Sequence, residues 1–473
     1  MKDLLVVLGG EVPSGRSVAE KIRAEHYSCV LMPSSTKADV VMQEEPAGII
    51  IAAEMEEGVA ALDAALLKTG VPLLALGSCA NVLLQYIGKK EEQEPIVQKV
   101  APVTYENVLL FEDLGKGERW IKIADNFALP EAYTPIAHSD EHILAYANQQ
   151  MHMYFLQFQI ERNDLDGMAI LISFASNICG CTPWWTVESM IAKSEEKIRE
   201  AAGDRPVVCA MSGGLDSTVA AVLARRVLGD KVRCLFVDTG LMREGEADAI
   251  EQYFKEDLGL RFVKIDASQR IMVALEGVVS PYEKRDIVER EIGRALLENT
   301  DQAPGSAVFI KGTHYLDMMD TSFSKMEVLG EVIMPLGDLF KYEIRLIGEY
   351  LQLSAHVINR QPFPGVGLAS RIRGLVTKEA LAILRKTDAI FEQELKEAGL
   401  LKKTKRYFSI LDRMEDGGYI VVLRATQGTE MWMHAARLPY DVLERTIAQI
   451  QQEIKSVERA LYDMTPGIAE WVL

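Results

Sequence analysis

The chain has 473 residues, and at about 150 residues per domain this length predicts three domains. Its 48% hydrophobic and 25% charged residues are the proportions of an ordinary globular protein. The formal net charge of −18 argues against broad binding to nucleic acid or to an anionic membrane, because either would need a basic face.

The amino-terminal run MKDLLVVLGG is too short and too poorly flanked to be a secretory signal. No apolar run approaches the roughly 20 residues that span a bilayer. We therefore expect a cytoplasmic protein. The six cysteines are too few in so long a chain to form a disulfide framework, and we expect them to be thiols.

Residues 1–178 are predicted to form an α/β domain with a parallel sheet. Apolar runs at Leu4–Leu8, Gly48–Ala52 and Val71–Leu76 have the length of buried strands, and helical stretches separate them. The third strand leads through a turn into Cys79 and an apolar helix. A helix N-terminus favours the thiolate, which makes Cys79 a candidate nucleophile. The alternative is a small buried residue that closes the turn.

The order of elements in this domain resembles the class I glutamine amidotransferases, which have a flavodoxin-type fold. These enzymes release ammonia with a cysteine nucleophile, a glycine-rich oxyanion loop and a later His-x-Glu pair. Cys79 stands at the nucleophile position, but Asn81 replaces the usual glycine two residues beyond it. Ala-Ala-Glu at 52–54 replaces the oxyanion-loop glycines, and Gln159 and Glu161 replace the His-x-Glu pair.

A glutamine cannot take a proton from a thiol at neutral pH, so the nucleophile lacks its activating base. The resemblance therefore implies an amidotransferase-like domain in which Cys79 is vestigial and the glutaminase is lost. One of three upstream histidines could in principle replace the base, although nothing in their spacing supports it: His138, His142 and His152.

Cys179 and Cys181 form a C-x-C motif ahead of Trp184 and Trp185. Such a motif could bind a metal or take part in redox chemistry, but no second cysteine pair lies near it in sequence to complete a tetrahedral site. We favour a packed linker. A charged amphipathic helix is predicted to follow at 186–202.

The stretch Pro206–Leu228 predicts a strand, a glycine turn and a helix. The glycines allow backbone N–H groups to approach an anion, and the following helix aims its partial positive end at the same point. No lysine follows the second glycine, which excludes the G-x-x-x-x-G-K-[ST] type of phosphate loop. Asp216 beside phosphates makes sense when a Mg²⁺ ion lies between them.

The sequence S-G-G-L-D-S at 212–217 resembles the pyrophosphate loop of the N-type ATP pyrophosphatases, which split ATP into AMP and pyrophosphate. The alternative is a glycine turn with an accidental aspartate. The resemblance implies that Asp216 is both a catalytic residue and a Mg²⁺ ligand, and that Ser217 is catalytic. It also implies ATP binding by the whole loop: Ser212, Gly213, Gly214, Leu215, Asp216, Ser217 and Thr218.

Residues 186–350 continue with strands at Lys231–Val237, Arg261–Ile265 and Ala307–Lys311, which predict a doubly wound parallel sheet. Ligands bind at the carboxyl ends of such strands. Three segments of this chain lie at 236–243, 281–285 and 312–317. They resemble, in that order, the F-V-D-x-G-L-x-R, P-E-x-K-R and G-T-x-Y-x-D segments of the GMP synthases. The resemblance implies ATP contacts by Val237, Asp238, Arg243, Gly312 and Thr313, catalytic roles for Lys284 and Arg285, and an acceptor contact by Asp317.

Residues 351–473 are predicted to form a small α+β domain. The run R-Q-P-F-P-G-V-G-L at 360–368 resembles the R-x-P-F-P-G-P-G-L signature of the GMP synthases. That resemblance implies acceptor binding by Arg360, Pro364, Gly365 and Gly367. In the family this domain dimerises, so the resemblance also implies a homodimer.

The resemblance as a whole implies an ATP-dependent ligase that aminates xanthosine monophosphate (XMP) to GMP through an adenylated intermediate. The departures around Cys79 predict free ammonia as the nitrogen source. Two departures concern the acceptor: the segment 318–334 is shorter than the family's lid, and 465–473 lacks the family's phosphate-binding lysine. A paralogue that aminates another purine-like or nucleoside acceptor is therefore an alternative. A nucleotide-binding regulatory protein without turnover is another.

Overall fold

The computed structural model describes residues 3–53, 62–112, 114–140, 142–160, 165–300, 307–319, 331–360, 363, 365–415, 417–429 and 432–465. The chain divides into two compact units, Met1–Ser189 and Met190–Leu473. Within the described residues, no helix combines the length and the apolar character needed to cross a membrane.

The first unit is built on a nine-stranded sheet with the order β2-β1-β3-β4-β11-β10-β9-β6-β7. Strands β1 to β4 and β11 run parallel, and the remaining neighbours pair antiparallel. The strands are β1 Leu4–Leu8, β2 Ser28–Met32, β3 Gly48–Ile51, β4 Leu73–Leu76, β5 Lys89–Lys90, β6 Ile96–Tyr105, β7 Lys116–Ala124, β8 Phe127–Ala128, β9 Thr134–Ser139, β10 His142–Asn148 and β11 Met153–Leu156. The helices are α1 Pro13–Ala24, α2 Ala38–Gln43, α3 Ser78–Ile87 and α4 Leu165–Ser173, with shorter helical turns at Ala64–Lys68, Leu109–Phe111 and Phe174–Ile178.

The predicted parallel strands of this unit are all present, because their side chains are apolar on both faces. Every residue of β3 and of β4 is buried. The antiparallel strands β6, β7, β9 and β10 extend the sheet beyond β11, and the sequence reasoning did not anticipate them. Strand β6 shows the reason: residues 97–100 are exposed, and Gln98 and Lys99 interrupt the apolar residues, so it lacks the continuous apolar run that marks a buried parallel strand.

The second unit begins with helix α5, Val187–Ala202, and a five-stranded parallel sheet in the order β14-β13-β12-β15-β16. Its strands are β12 Val207–Met211, β13 Val232–Asp238, β14 Phe262–Asp266, β15 Val308–Lys311 and β16 Val332–Ile333. The helices in and after this sheet are α6 Leu215–Leu228, α7 Glu246–Gln252, α8 Ser268–Ala274, α9 Pro281–Glu298, α10 Tyr315–Met319, α11 Lys341–Tyr350 and α12 Ala355–Ile358.

Chain order reverses between β12 and β15, which are neighbours in the sheet but not in sequence. In a doubly wound sheet the crevice outside the carboxyl ends of these two strands is the usual ligand site. The fold therefore directs attention to the residues that follow Met211 and Lys311.

The last part of this unit is a small sheet packed with two helices, as predicted. Strands β17 Arg406–Arg413, β18 Tyr419–Thr429 and β19 Trp432–Ala435 pair antiparallel, and β20 Val457–Tyr462 pairs parallel with β18. Helices α13 Lys378–Glu397 and α14 Tyr440–Glu453 complete it. The apolar core is continuous across the unit, since Val208 and Phe309 of the parallel sheet belong to the same buried cluster as Leu384 and Leu423.

Candidate active site

The loop between β12 and α6 closes on itself through hydroxyl groups. Ser217 Oγ accepts a hydrogen bond from the Ser212 amide at 3.2 Å and donates to the Gly214 carbonyl at 3.1 Å. Thr218 Oγ1 donates to the same carbonyl at 2.7 Å. Both hydroxyls therefore hold the loop, which leaves the N-terminus of the long helix α6 to face an anion with its unsatisfied amides.

Glycine is required at Gly213, where φ is +74° and a Cβ atom would lie 2.5 Å from Ile250 Cδ1. A second close approach joins the two strands of the crevice. A Cβ atom on Gly312 would lie only 2.4 Å from the amide nitrogen of Ser217. The end of β15 thus touches the beginning of α6 backbone to backbone, which brings the predicted ATP residues Gly312 and Thr313 to the loop.

A cluster of charged groups lies at this junction. Lys341 Nζ donates to both carboxylate oxygens of Asp216, at 2.6 Å each. His314 Nδ1 lies 3.0 Å from Asp317 Oδ2. One ligand atom from each of Asp216, His314 and Asp317 lies within 4.8 Å of the others, so these three residues could together hold a metal ion.

The charges of the cluster affect His314 in particular. Burial alone lowers the pKa of His314, but its hydrogen bond to Asp317 and the negative charges of Asp317 and Asp216 outweigh burial and raise the pKa above its ordinary value. The positive charge of Lys341 offsets this rise only in part. Thr313, next to it, is buried, and its hydroxyl has no hydrogen-bond partner among the described residues.

Arg360 connects the third predicted region to the loop. Its guanidinium donates to the Gly213 carbonyl and to Glu246, the latter at 2.6 Å. Arg243 also contacts Glu246, at 3.3 Å, and its guanidinium stacks 4.7 Å above the Phe363 ring. Burial raises the pKa of Glu246, but the two arginines hold it below its ordinary value. An ion-paired cluster therefore borders the loop.

The other predicted residues near the strand ends have mainly structural contacts. Val237 is buried, and Asp238 Oδ1 accepts from the Gly240 amide at 2.9 Å, which shapes the turn after β13. Gly367 precedes Leu368, whose amide donates to the Leu241 carbonyl at 2.7 Å. Gly365 is exposed, and Pro364 lies outside the described residues.

Lys284 has a different position from the one that a catalytic role needs. Its side chain is fully buried, and its ammonium donates to the carbonyls of Ile372 and Gly374 at 2.7 Å each and approaches that of Ala369 at 3.4 Å. These contacts tie α9 to the segment 369–374. We therefore interpret Lys284 as a structural residue. Its neighbour Arg285 pairs with Glu289 at 3.0 Å on a partly exposed face of α9.

Three residues of this site were missed by the sequence reasoning: Lys341, His314 and Glu246. His314 lies inside the G-T-x-Y-x-D segment, at a position that the motif leaves open. Its position shortly after a predicted strand could have identified it as a candidate site residue, because ligands bind at the carboxyl ends of such strands. Lys341 follows Leu339 and Phe340 and is separated from Asp216 by 125 positions in the sequence, so no local pattern pointed to it.

The chain resembles known proteins over nearly its whole length. The NAD synthase family profile matches residues 186–404. Two curated proteins named glutamine-hydrolyzing GMP synthase, from Carboxydothermus hydrogenoformans and Caldicellulosiruptor saccharolyticus, are each 32% identical, with 99% of this chain and 99% of each relative covered. A relative from Halalkalibacterium halodurans carries the same name as a provisional assignment. It is 33% identical, with 99% of this chain and 99% of the relative covered.

The chain belongs to the GMP synthase family. It is therefore a ligase that uses ATP and acts on a small nucleotide, and its parallel five-stranded sheet is the ATP pyrophosphatase part that the NAD synthase profile covers. This confirms the resemblance, the α/β fold class and the enzyme class predicted from the sequence.

The surroundings of Cys79 are those of a buried thiol. Cys79 lies at the start of α3, fully buried, and its thiol donates to the Ala53 carbonyl at 2.7 Å. Burial raises the pKa of Cys79 to about 12. At neutral pH the sulfur is thus a protonated thiol and a poor nucleophile.

The other residues predicted at the amidotransferase positions are Asn81, Gln159 and Glu161. Asn81 is buried and donates to the Ile123 carbonyl at 2.8 Å. Gln159 lies next to the turn before α3, since a Cβ atom on Gly77 would be 3.4 Å from Gln159 Cγ. Glu161 lies outside the described residues.

Proposed function

We propose that the chain aminates XMP to GMP with ATP and free ammonia. The oxygen on the acceptor's C2 carbon attacks the α-phosphorus of ATP, and pyrophosphate leaves. The nitrogen of ammonia then attacks the same carbon, and AMP leaves with the former carbonyl oxygen. The protons lost by ammonia and by the acceptor ring pass to solvent, so the products are GMP, AMP, pyrophosphate and protons, and atoms and charges balance.

The observation that carries this proposal is the position of Asp216. It lies in the first turn of α6, in the crevice between β12 and β15, beside a loop shaped for phosphate. A carboxylate at a phosphate site repels its ligand unless a cation lies between them. We propose that Asp216 and Asp317 hold a divalent ion such as Mg²⁺ beside the phosphates, because two carboxylates in one crevice supply oxygen ligands for it.

A bound Mg²⁺ would neutralise the negative charge that develops on the departing pyrophosphate. The chain's own residues do the rest of the binding. The N-terminus of α6 faces the phosphates, and Lys341, whose ammonium now pairs with Asp216, is available to contact a phosphate oxygen once a divalent ion replaces it there. Glu343 supports this position by accepting from the Phe340 amide at 2.7 Å at the start of α11.

The choice of free ammonia is supported by the Ala53 carbonyl. An oxyanion hole needs N–H donors directed at the reacting centre, whereas here a carbonyl oxygen lies 2.7 Å from the sulfur of Cys79. A carbonyl repels the oxyanion that glutamine hydrolysis creates. Together with the glutamine at position 159, this favours loss of the glutaminase.

The test is pyrophosphate release from ATP by the full chain with XMP, supplied with either ammonium at mildly alkaline pH or an equal concentration of glutamine. We expect pyrophosphate and GMP in equal amounts with ammonium, and a rate at background with glutamine. Glutamate release that keeps pace with GMP formation would contradict the nitrogen source.

The same assay with a panel of other oxopurine nucleotides and nucleosides tests the acceptor. The shortened segment 318–334 and the missing carboxy-terminal lysine are the sequence features that favour a different acceptor, and most of these residues lie outside the described part of the chain. Turnover with another acceptor and none with XMP would favour the paralogue. No pyrophosphate with any acceptor would favour a regulatory protein.

We also propose that the chain is a homodimer through its region 351–473, as the family resemblance implies. Light scattering of the full chain should give twice the chain mass of 52.6 kDa, and a monomer mass at micromolar concentration would contradict this proposal.

A further inference from the structure

We propose that Asp216, His314 and Asp317 form a divalent metal site that selects a first-row transition ion such as Mn²⁺ over Mg²⁺, with His314 as the ligand that sets the preference. The inference deepens the proposed function, because it concerns the metal held beside the ATP loop. What it adds is the imidazole, since carboxylates alone would make an ordinary magnesium site.

The spacing of the three side chains suits a single ion. Bonds of about 2.1 Å place neighbouring ligand atoms about 3 Å apart and opposite ones about 4.2 Å apart around an octahedral ion. His314 Nδ1 and Asp317 Oδ2 are 3.0 Å apart, and the three ligand atoms all lie within 4.8 Å of one another. Movements of about half an ångström by side chains would complete the geometry.

The contact between His314 and Asp317 itself calls for a positive centre. His314 Nδ1 accepts a long hydrogen bond of 3.3 Å from the Asp317 amide, so Nδ1 is the ring nitrogen that carries the lone pair in the neutral imidazole. The same nitrogen lies 3.0 Å from a carboxylate oxygen, which also presents lone pairs. Two such atoms attract each other only when a proton or a metal ion lies between them.

The preference follows from the chemistry of the ligands. Mg²⁺ takes oxygen ligands and keeps several waters, whereas imidazole nitrogen suits transition ions. A nitrogen ligand between two carboxylates therefore strengthens binding of Mn²⁺, Fe²⁺ or Co²⁺ more than binding of Mg²⁺. The side chains of His314 and Asp216 are only 13% and 16% exposed, so water competes weakly for these positions.

Lys341 competes with the metal in this arrangement. Its ammonium contacts both oxygens of Asp216, the same atoms that a metal ion would use. A divalent ion must displace it, so removal of this charge should strengthen metal binding. Lys341→Met thus provides a variant whose expected effect is opposite to that of the His314 variants.

The structural alternative for His314 is helix capping. The residue precedes α10 and accepts from the amide of its third residue, as a capping side chain does. Asn and Asp are both good caps, so they preserve this role while changing the ligand. Asn is a weak metal ligand, and Asp supplies an oxygen in place of the nitrogen.

The experiment is a titration of the chelator-treated full chain with Mn²⁺, without ATP. Loss of the electron paramagnetic resonance signal of free Mn²⁺ reports binding, and competition by Mg²⁺ gives the relative affinity. We expect Mn²⁺ to bind at least about tenfold more tightly than Mg²⁺. His314→Asn should weaken Mn²⁺ binding by about tenfold or more, the size of effect that residues around a metal ion usually have, and should change Mg²⁺ binding little.

His314→Asp should keep metal binding but remove the preference for Mn²⁺, and Lys341→Met should tighten binding of both ions. The matched control is His356→Asn, the same substitution at an exposed histidine in α12, which should leave both affinities unchanged. Co²⁺ supplies an independent reading, because its visible absorption spectrum should change between the wild type and His314→Asn.

Equal affinities for Mn²⁺ and Mg²⁺ in the wild type would overturn the inference, as would a His314→Asn variant with an unchanged affinity ratio. The result is separable from the proposed function. Pyrophosphate release with XMP alongside an unchanged ratio would retain the function and reject His314 as a ligand. If the ratio of Mn²⁺ to Mg²⁺ affinity depends on His314 but no acceptor supports turnover, His314 is retained as a metal ligand and the proposed function is rejected.

Discussion

The turn between β4 and α3 and the loop between β12 and α6 use the same local construction. Each follows a buried parallel strand, contains a glycine with positive φ, at Gly77 (+60°) and Gly213 (+74°), and leads into a helix. Their functional side chains differ in what faces them. A backbone carbonyl faces the Cys79 thiol, whereas an ammonium faces the Asp216 carboxylate. The comparison teaches that the turn supplies a position, and that neighbouring charges decide whether the side chain placed there is reactive.

The largest effect is expected from Asp216→Asn. If the carboxylate is needed for phosphate chemistry, pyrophosphate release should fall by at least about a hundredfold, since charge stabilisation is usually the largest part of catalysis. The circular dichroism spectrum should stay that of the wild type. The matched control is Asp230→Asn, the same change at an exposed residue beyond the other end of α6. Wild-type rates in Asp216→Asn would remove the basis of the proposed site.

The reactivity of Cys79 tests whether the turn between β4 and α3 holds an unreactive thiol. Because burial raises the pKa of this thiol to about 12, only about one molecule in ten thousand carries the thiolate at pH 8. Alkylation of Cys79 by iodoacetamide, followed by mass spectrometry, should be at least about a hundredfold slower in the folded chain than in guanidinium. Labelling at the rate of the unfolded chain would show an activated thiol and reverse the comparison.

Lys284 is a buried charge whose described contacts are with backbone carbonyls. Lys284→Met leaves two or three carbonyls without their charged donor, and we expect the free energy of unfolding to fall by about 1–3 kcal/mol. Pyrophosphate release at a temperature where the variant is folded should stay within about threefold of the wild type. A hundredfold loss of turnover in a well-folded variant would restore the catalytic role.

Lys284 also predicts a pH dependence. Burial lowers its pKa from 10.5 to about 8. Between these values the unfolded chain binds more protons than the folded chain, so this residue makes the free energy of unfolding rise with pH from about 8 to 10.5. Urea titrations of wild type and Lys284→Met across this range should show the rise only in the wild type. Identical pH profiles would contradict the lowered pKa.

The smallest expected effect belongs to Cys79→Ala. If the thiol takes no part in the reaction, the ammonium-dependent rate should equal that of the wild type within about twofold. The measurement is GMP formation at saturating ammonium. A rate that falls severalfold, with the chain still folded, would mean that Cys79 contributes to catalysis by a route other than glutamine hydrolysis.

The sequence alone was sufficient to predict the parts of the site that depend on neighbouring residues in the chain. The strand before Ser212 is apolar on both faces, and the glycines and Asp216 that follow it have a spacing with a physical meaning, so the loop and its crevice could be predicted. Residues whose role depends on distant packing could not. Lys341 reaches Asp216 only because α11 lies beside α6 in the fold, and Lys284 looks like an exposed cation at a helix start until its acceptors at 372 and 374 are known.

Two buried or half-buried cations also determine how the chain can be divided. Lys284 binds carbonyls of the segment 369–374, and Arg385 of α13 donates to the carbonyls of Met242 and Gly240 at 2.8 and 2.7 Å. Each bond crosses the predicted boundary at 350, where the apolar core is continuous as well. A fragment that ends at residue 350 would expose the apolar residues that pack against 351–465. It would also leave the buried ammonium of Lys284 without its carbonyl acceptors. We therefore expect the segments on either side of residue 350 to unfold together in one cooperative transition.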